Sequence, residues 1–90
     1  MVRLRLFTLP TCPKCPAAKE ITEAILKNRN DITLEILDIS DVNNMTAALM
    51  LQISSTPSFV IDNTPLFISD VPSLKELDTK IDEYKRRIAN

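Results

Sequence analysis

The two cysteines of the chain stand in one motif, Cys12-Pro13-Lys14-Cys15, between an apolar strand-like run and a helix-like segment. Two thiols at this spacing can pass between dithiol and disulfide, because at the start of a helix their sulfurs reach each other. Read from the residues alone, Cys12 takes the N-cap of the first helix. Pro13 takes its first position, where the absent N–H has no helical partner to lose and the fixed φ is already helical. Unpaired backbone N–H groups and the positive end of the helix dipole then face Cys12 and favour its thiolate. Lys14 adds a positive charge beside it, which salt screens if the side chain is solvated.

Other uses of the pair are poorly served by this sequence. A structural disulfide over so short a loop would restrict the unfolded chain little. A zinc or iron–sulfur site needs about four ligands, and two cysteines with no histidine fall short unless chains pair. The lack of histidine also removes a Cys–His nucleophile from this chain alone, and the lack of glycine removes every glycine-rich phosphate loop.

The bulk numbers bound the rest. Residues 1–90, with 44% hydrophobic content, predict a single domain with one modest core. A net charge of -1, with acids and bases interspersed, gives no case for nucleic acid or an anionic membrane surface as a partner. The basic cluster Lys85, Arg86 and Arg87 reads as a solvated helix end whose cations complement the dipole. Met1 to Phe7 lacks a signal-peptide pattern, and no apolar run approaches membrane-spanning length. The expectation is a cytoplasmic monomer, in a compartment where a disulfide is transient and catalytic more often than structural.

The elements that must position the motif follow from periodicity. Residues 2–8 read as a buried strand ended by Pro10. From Pro13 to Asn28, Ala17, Ala18, Ile21, Ala24, Ile25 and Leu26 recur at helical spacing, with Glu20, Glu23, Lys19 and Lys27 on the wet side. Ile32, Leu34 and Ile36 alternate with polar residues in a second strand that Leu37 and Ile39 extend. Ser40 or Asp41 caps a short helix carrying Met45, Ala48, Leu49 and Leu51. Phe59-Val60-Ile61 and Leu66-Phe67-Ile68 flank Asp62-Asn63-Thr64-Pro65, a hairpin turn in which Asn63 is expected to take the left-handed conformation. In the last helix Leu74, Leu77, Ile81, Tyr84 and Ile88 form the apolar stripe, and Ser73 with Glu76 forms a capping box. The order is β-α-β-α-β-β-α, with the first two strands parallel and the last two a hairpin.

Cys-Pro-x-Cys opening the first helix, and Ile53-Ser54-Ser55-Thr56-Pro57 leading into the third strand, resemble the thioredoxin superfamily over essentially the whole chain. The resemblance implies an α/β minimal thioredoxin fold, a four-stranded mixed sheet flanked by helices. It implies Cys12 as exposed nucleophile, Cys15 as resolving thiol, and Pro57 as a cis-proline beside the disulfide, X-Pro being the bond that tolerates cis. Pro57 could otherwise end the loop in trans. Thr56 is either a packing residue or a place where the backbone of an extended client pairs.

The activity implied is reduction of disulfide-containing client proteins through a mixed disulfide, sustained by an upstream reductase or dithiol donor and needing no organic or metal cofactor. Small archaeal and bacterial redoxins with this motif resemble the chain best. A glutaredoxin-type, glutathione-dependent reductase is the alternative, since Cys12-Pro13-Lys14-Cys15 followed by Ala18-Lys19 is glutaredoxin-like. The glutaredoxin Gly-Gly and acidic segment, however, is replaced by Ser69-Asp70-Val71-Pro72-Ser73. Leu6 occupies the place of the buried acid of typical thioredoxins. A non-catalytic binding module on the same scaffold is a third reading, because fold does not fix function.

Overall fold

The computed structural model describes residues 2–89. Its elements are β1 (Val2–Thr8), α1 (Cys15–Asn28), β2 (Ile32–Asp38), α2 (Val42–Met50), β3 (Ser58–Ile61), β4 (Thr64–Ile68) and α3 (Leu74–Ala89). The sheet order is β2-β1-β3-β4. β1 and β2 are parallel, from Val2 opposite Ile32 to Thr8 opposite Asp38, while β3 pairs antiparallel with both β1 and β4. This is the mixed α/β sheet of a minimal thioredoxin fold.

The inner strand β1 sends Val2, Leu4 and Leu6 to one side of the sheet and Arg3, Arg5 and Phe7 to the other, and helices cover both sides. Val2, Leu4 and Leu6 point with Phe59 and Ile61 towards Ala18 and Ile25 of α1 and Leu77 and Ile81 of α3. Phe7 and Val60 point the other way, into a smaller cluster with Ile39, Ala48 and Ile53 under α2. Phe59 and Phe67 meet edge-on, 6.1 Å between centroids, across β3 and β4.

Local signals hold at most element ends. Asp41 is the cap of α2, its carboxylate accepting from the N–H groups of Asn43 and Asn44. Ser73 and Glu76 form the capping box, with Ser73 N–H donating to Glu76 at 3.0 Å and Glu76 N–H to Ser73 Oγ at 3.1 Å.

Four readings need correction. α1 starts at Cys15, with Lys14 as its N-cap and Pro16 in its first turn, so Cys12 and Pro13 lie in the preceding turn. The reason is a missing donor: a cap at Cys12 would present its carbonyl to the N–H of residue 16, and Pro16 has none. The first helical bond therefore runs from Ala18 N–H to Lys14 O, 3.1 Å.

In the hairpin the left-handed residue is Asp62, φ 52°, and not Asn63. Asp62 is tied to β1 twice, its N–H donating to Arg3 O at 2.7 Å and its Oδ1 accepting from Arg3 N–H at 3.0 Å. Ile88 is 56% exposed, because α3 outruns the sheet it covers. In the basic cluster, Lys85 is paired with Asp31, whereas Arg86 and Arg87 are exposed.

The chain also makes a left-handed helix stop without glycine. Gln52, φ 62°, follows α2. Its N–H bonds Leu49 O, and the Ile53 N–H reaches back to Ala48 O, each 2.9 Å, the pattern glycine ordinarily completes.

Candidate active site

The site forms where the apolar end of β1 meets the start of α1. Cys12 N–H donates to Leu9 O at 3.1 Å, closing a turn over Pro10 and Thr11 that carries the chain off the sheet. Pro13 and Lys14 make the next turn, and Cys15 opens the helix. Cys12 and Cys15 are disulfide-bonded with Cα atoms 5.4 Å apart. Cys15 is 2% exposed and packs into the molecule, while Cys12 is only partly covered. The Cys12 sulfur, held against that of the first helical residue, lies at the positive end of the α1 dipole even though Cys12 is outside the helix.

The third strand brings the second part of the site. Ser58 opposes Phe7, so the residue before it, Pro57, arrives beside the end of β1 from which the cysteine turn departs. Thr56-Pro57 is a cis peptide bond, with Pro57 buried and Thr56 partly exposed. The approach is pinned by Ser58 Oγ, which donates to Ser55 O at 2.7 Å and accepts from Ser69 N–H at 3.4 Å. Sequence reasoning missed this buried serine. Its signal was a polar residue opening an otherwise apolar strand.

Lys14 is exposed at the helix cap and makes no side-chain capping bond. Leu6 is fully buried in the core shared by α1 and α3. Among the described residues no group of three or more His, Cys, Asp or Glu could hold a metal ion. No helix among them is long and apolar enough to cross a membrane.

A family model described as Thioredoxin domain matches residues 2–82. The chain belongs to the thioredoxin family. It is 32% identical over 87 residues to a thioredoxin of Methanocaldococcus jannaschii, covering 97% of this chain and 96% of that one. It is 32% identical over 85 residues to a probable thioredoxin of Archaeoglobus fulgidus, covering 94% and 91%. Among solved structures, an uncharacterized thioredoxin-like protein from Clostridium perfringens superposes with TM-score 0.79 at 14% identity, covering 92% of this chain and 70% of that one. A malaria-parasite thioredoxin-2 superposes with TM-score 0.77 at 18% identity, covering 92% and 82%. The two structures share the fold. The family match and the archaeal relatives make the paired cysteines a thioredoxin-like redox centre.

Proposed function

We propose that the chain is a protein-disulfide reductase in which Cys12 attacks and Cys15 resolves. The thiolate of Cys12 displaces one sulfur of a client disulfide, forming a Cys12–client mixed disulfide and releasing one client thiol after protonation. Cys15, deprotonated, then attacks the Cys12 sulfur, the second client thiol leaves with a proton, and the intramolecular disulfide remains. Two electrons and two protons reach the client.

The observation that carries this reading is the unequal exposure of a bonded pair: Cys12 is open to an incoming sulfur, and Cys15 is 2% exposed behind it. The α1 dipole and the charge of Lys14 both favour the Cys12 thiolate. Thr56, next to the cis-Pro57 that leads into β3, offers backbone for pairing with an extended client. An intact, bonded cysteine pair weighs against a purely structural binding module. We read the chain as acting alone as one domain, in the cytoplasm, recharged by a reductase or dithiol.

Electron supply by glutathione is the competing reading. Binding so small and polar a peptide depends on a few well-placed polar groups, and Ser69 to Ser73 offer no Gly-Gly pair. The archaeal relatives also carry the name thioredoxin. The test compares insulin reduction driven by a dithiol with turnover of a mixed glutathione disulfide, for the parent and Cys15→Ser. The expected result is efficient insulin reduction that Cys15→Ser loses. Efficient glutathione-driven turnover retained in Cys15→Ser would establish glutaredoxin chemistry instead.

A further inference from the structure

Arg5 is a buried charge that the redox centre does not use. It sits on the inner strand β1, 8% exposed, with its guanidinium 5.7 Å from the centroid of the Phe7 ring. Its two hydrogen bonds both come from Nη2, to Asp62 O at 2.6 Å and Asn63 Oδ1 at 3.1 Å. Nε is buried and finds no partner, and Nη1 makes no hydrogen bond among the described residues.

Buried arginines ordinarily meet a carboxylate, and here each nearby one is committed elsewhere. Asp62 accepts from Arg3 N–H through Oδ1 and from the Tyr84 hydroxyl, 2.7 Å, through Oδ2. Glu35 pairs with Arg3 at 3.4 Å. α2, which covers this side of the sheet, carries no charged residue from Val42 to Met50. Burial lowers the Arg5 pKa and the neighbouring Arg3 lowers it further, against partial support from Glu35 and Asp62. The group nevertheless stays protonated, because arginine does not lose its proton in proteins.

This cation forms part of the wall of a cleft of about 280 Å³, completed by Ala47, Met50, Leu51 and Asn63. Three of those five side chains are apolar. Met50, 80% exposed, stands at the rim. Ligand pockets run from roughly 300 to 1,000 Å³, so this one suits only a small group.

We propose that the cleft between the α2 C-terminus and the β3–β4 turn binds a carboxylate carried on a small apolar group. The carboxylate pairs with Arg5 through Nη1 and with the Asn63 amide, and the apolar part lies against Ala47, Met50 and Leu51. A free short-chain acid and the C-terminal residue of a polypeptide share this chemistry. The site is independent of the cysteines: it stands or falls without reference to disulfide exchange.

The test uses the full-length oxidised protein, titrated by ¹⁵N–¹H and methyl NMR with hexanoate, hexanol, acetate, and a short peptide ending in leucine as free acid or as amide. Hexanoate is expected to give saturable shifts at Ala47, Met50 and Asn63. Hexanol, acetate and the peptide amide are expected to bind about tenfold more weakly or less, since each lacks either the charge-assisted bond or the apolar contact. Tighter binding of the peptide acid than of hexanoate assigns the source to a polypeptide terminus, and the reverse assigns it to a free acid. Arg5→Met and Met50→Glu should each weaken hexanoate binding by about tenfold or more. The second keeps the core intact and places a repelling charge at the rim. No saturable shift with either acid, equal binding of hexanol, or undiminished binding by Met50→Glu would overturn the site.

Discussion

On the α1–α3 side of the sheet, Arg29 is held by carboxylates on three sides. It donates to Asp31 through Nε at 3.0 Å and Nη2 at 2.8 Å, and meets Asp78 at 2.8 Å and Asp82 at 2.9 Å through Nη1. On the α2 side, Arg5 is buried with backbone and amide oxygens and no carboxylate of its own. The cores differ in the same sense. Ten buried residues unite β1, β2, β3, α1 and α3 on the first side, whereas five form the cluster under α2, whose Val42, Leu49 and Met50 face solvent. One side is closed by packing and charge pairing. The other is left with an uncharged helix surface and a cation without a carboxylate partner, which are properties of a surface available to something else.

The sharpest way to break this contrast is truncation of one apolar residue on the helix that covers each side. Ile81→Ala, at a fully buried position of α3, should cost about 2–5 kcal/mol in urea unfolding. Met50→Ala on α2 should stay within about 0.5 kcal/mol. Similar losses at the two positions would show that the exposed Met50 side chain makes stabilising contacts on the α2 side.

The arginines give the next largest difference. Arg29→Ala removes charge-assisted bonds from a largely buried guanidinium to Asp31 and to the more exposed Asp78 and Asp82, and should cost about 1–3 kcal/mol, most of it at Asp31. Arg5→Met replaces an uncompensated charge with apolar volume and should change stability by about 1 kcal/mol or less in either direction. The pairing has a pH signature as well. Hydrogen bonds from Arg29, and then from Lys85, hold the Asp31 carboxyl well below the usual carboxylate range. A depressed folded value stabilises the fold at pH above the unfolded value of about 3.9, and that contribution is lost as pH falls below it towards the folded value. Asp31→Asn should therefore flatten the acid limb of stability against pH, measured by urea midpoints from about pH 5 downwards. An unchanged acid limb would assign it to other carboxylates.

The smallest effect is expected at Gln52, where φ of 62° suits glycine better than a residue with a Cβ. Gln52→Gly should raise stability by about 1 kcal/mol or less. A loss would show that the side chain contributes more than its backbone strain costs.

Much of the first side and of the redox turn was legible because the signals are local. Cys12 and Cys15 are three positions apart, Ser73 and Glu76 form a box within one turn, and the α3 stripe repeats along a single helix. What escaped depends on distance in sequence. Arg5 alternates with Leu4 and Leu6 as a solvated residue would, and only the arrival of α2 and the β3–β4 turn over the inner strand buries it. Asp62 takes the left-handed conformation through bonds to Arg3, a partner 59 residues away. Arg29 follows α1 with only Asp31 near it in sequence, and only the fold brings it to Asp78 and Asp82 of α3. The start of α1 is different in kind. The absent N–H of Pro16 was in the sequence, and it moves the helix cap from Cys12 to Lys14.

The claim that Cys12 attacks and Cys15 resolves is tested most directly on reduced single-cysteine variants, by alkylation rate against pH. In Cys15→Ser, Cys12 should react readily and titrate below the free-thiol value of about 8.5. In Cys12→Ser, the shielded Cys15 should react far more slowly across the same range. Faster alkylation of Cys15, or a Cys12 that titrates at or above the free-thiol value, would contradict the assignment and with it the proposed order of exchange.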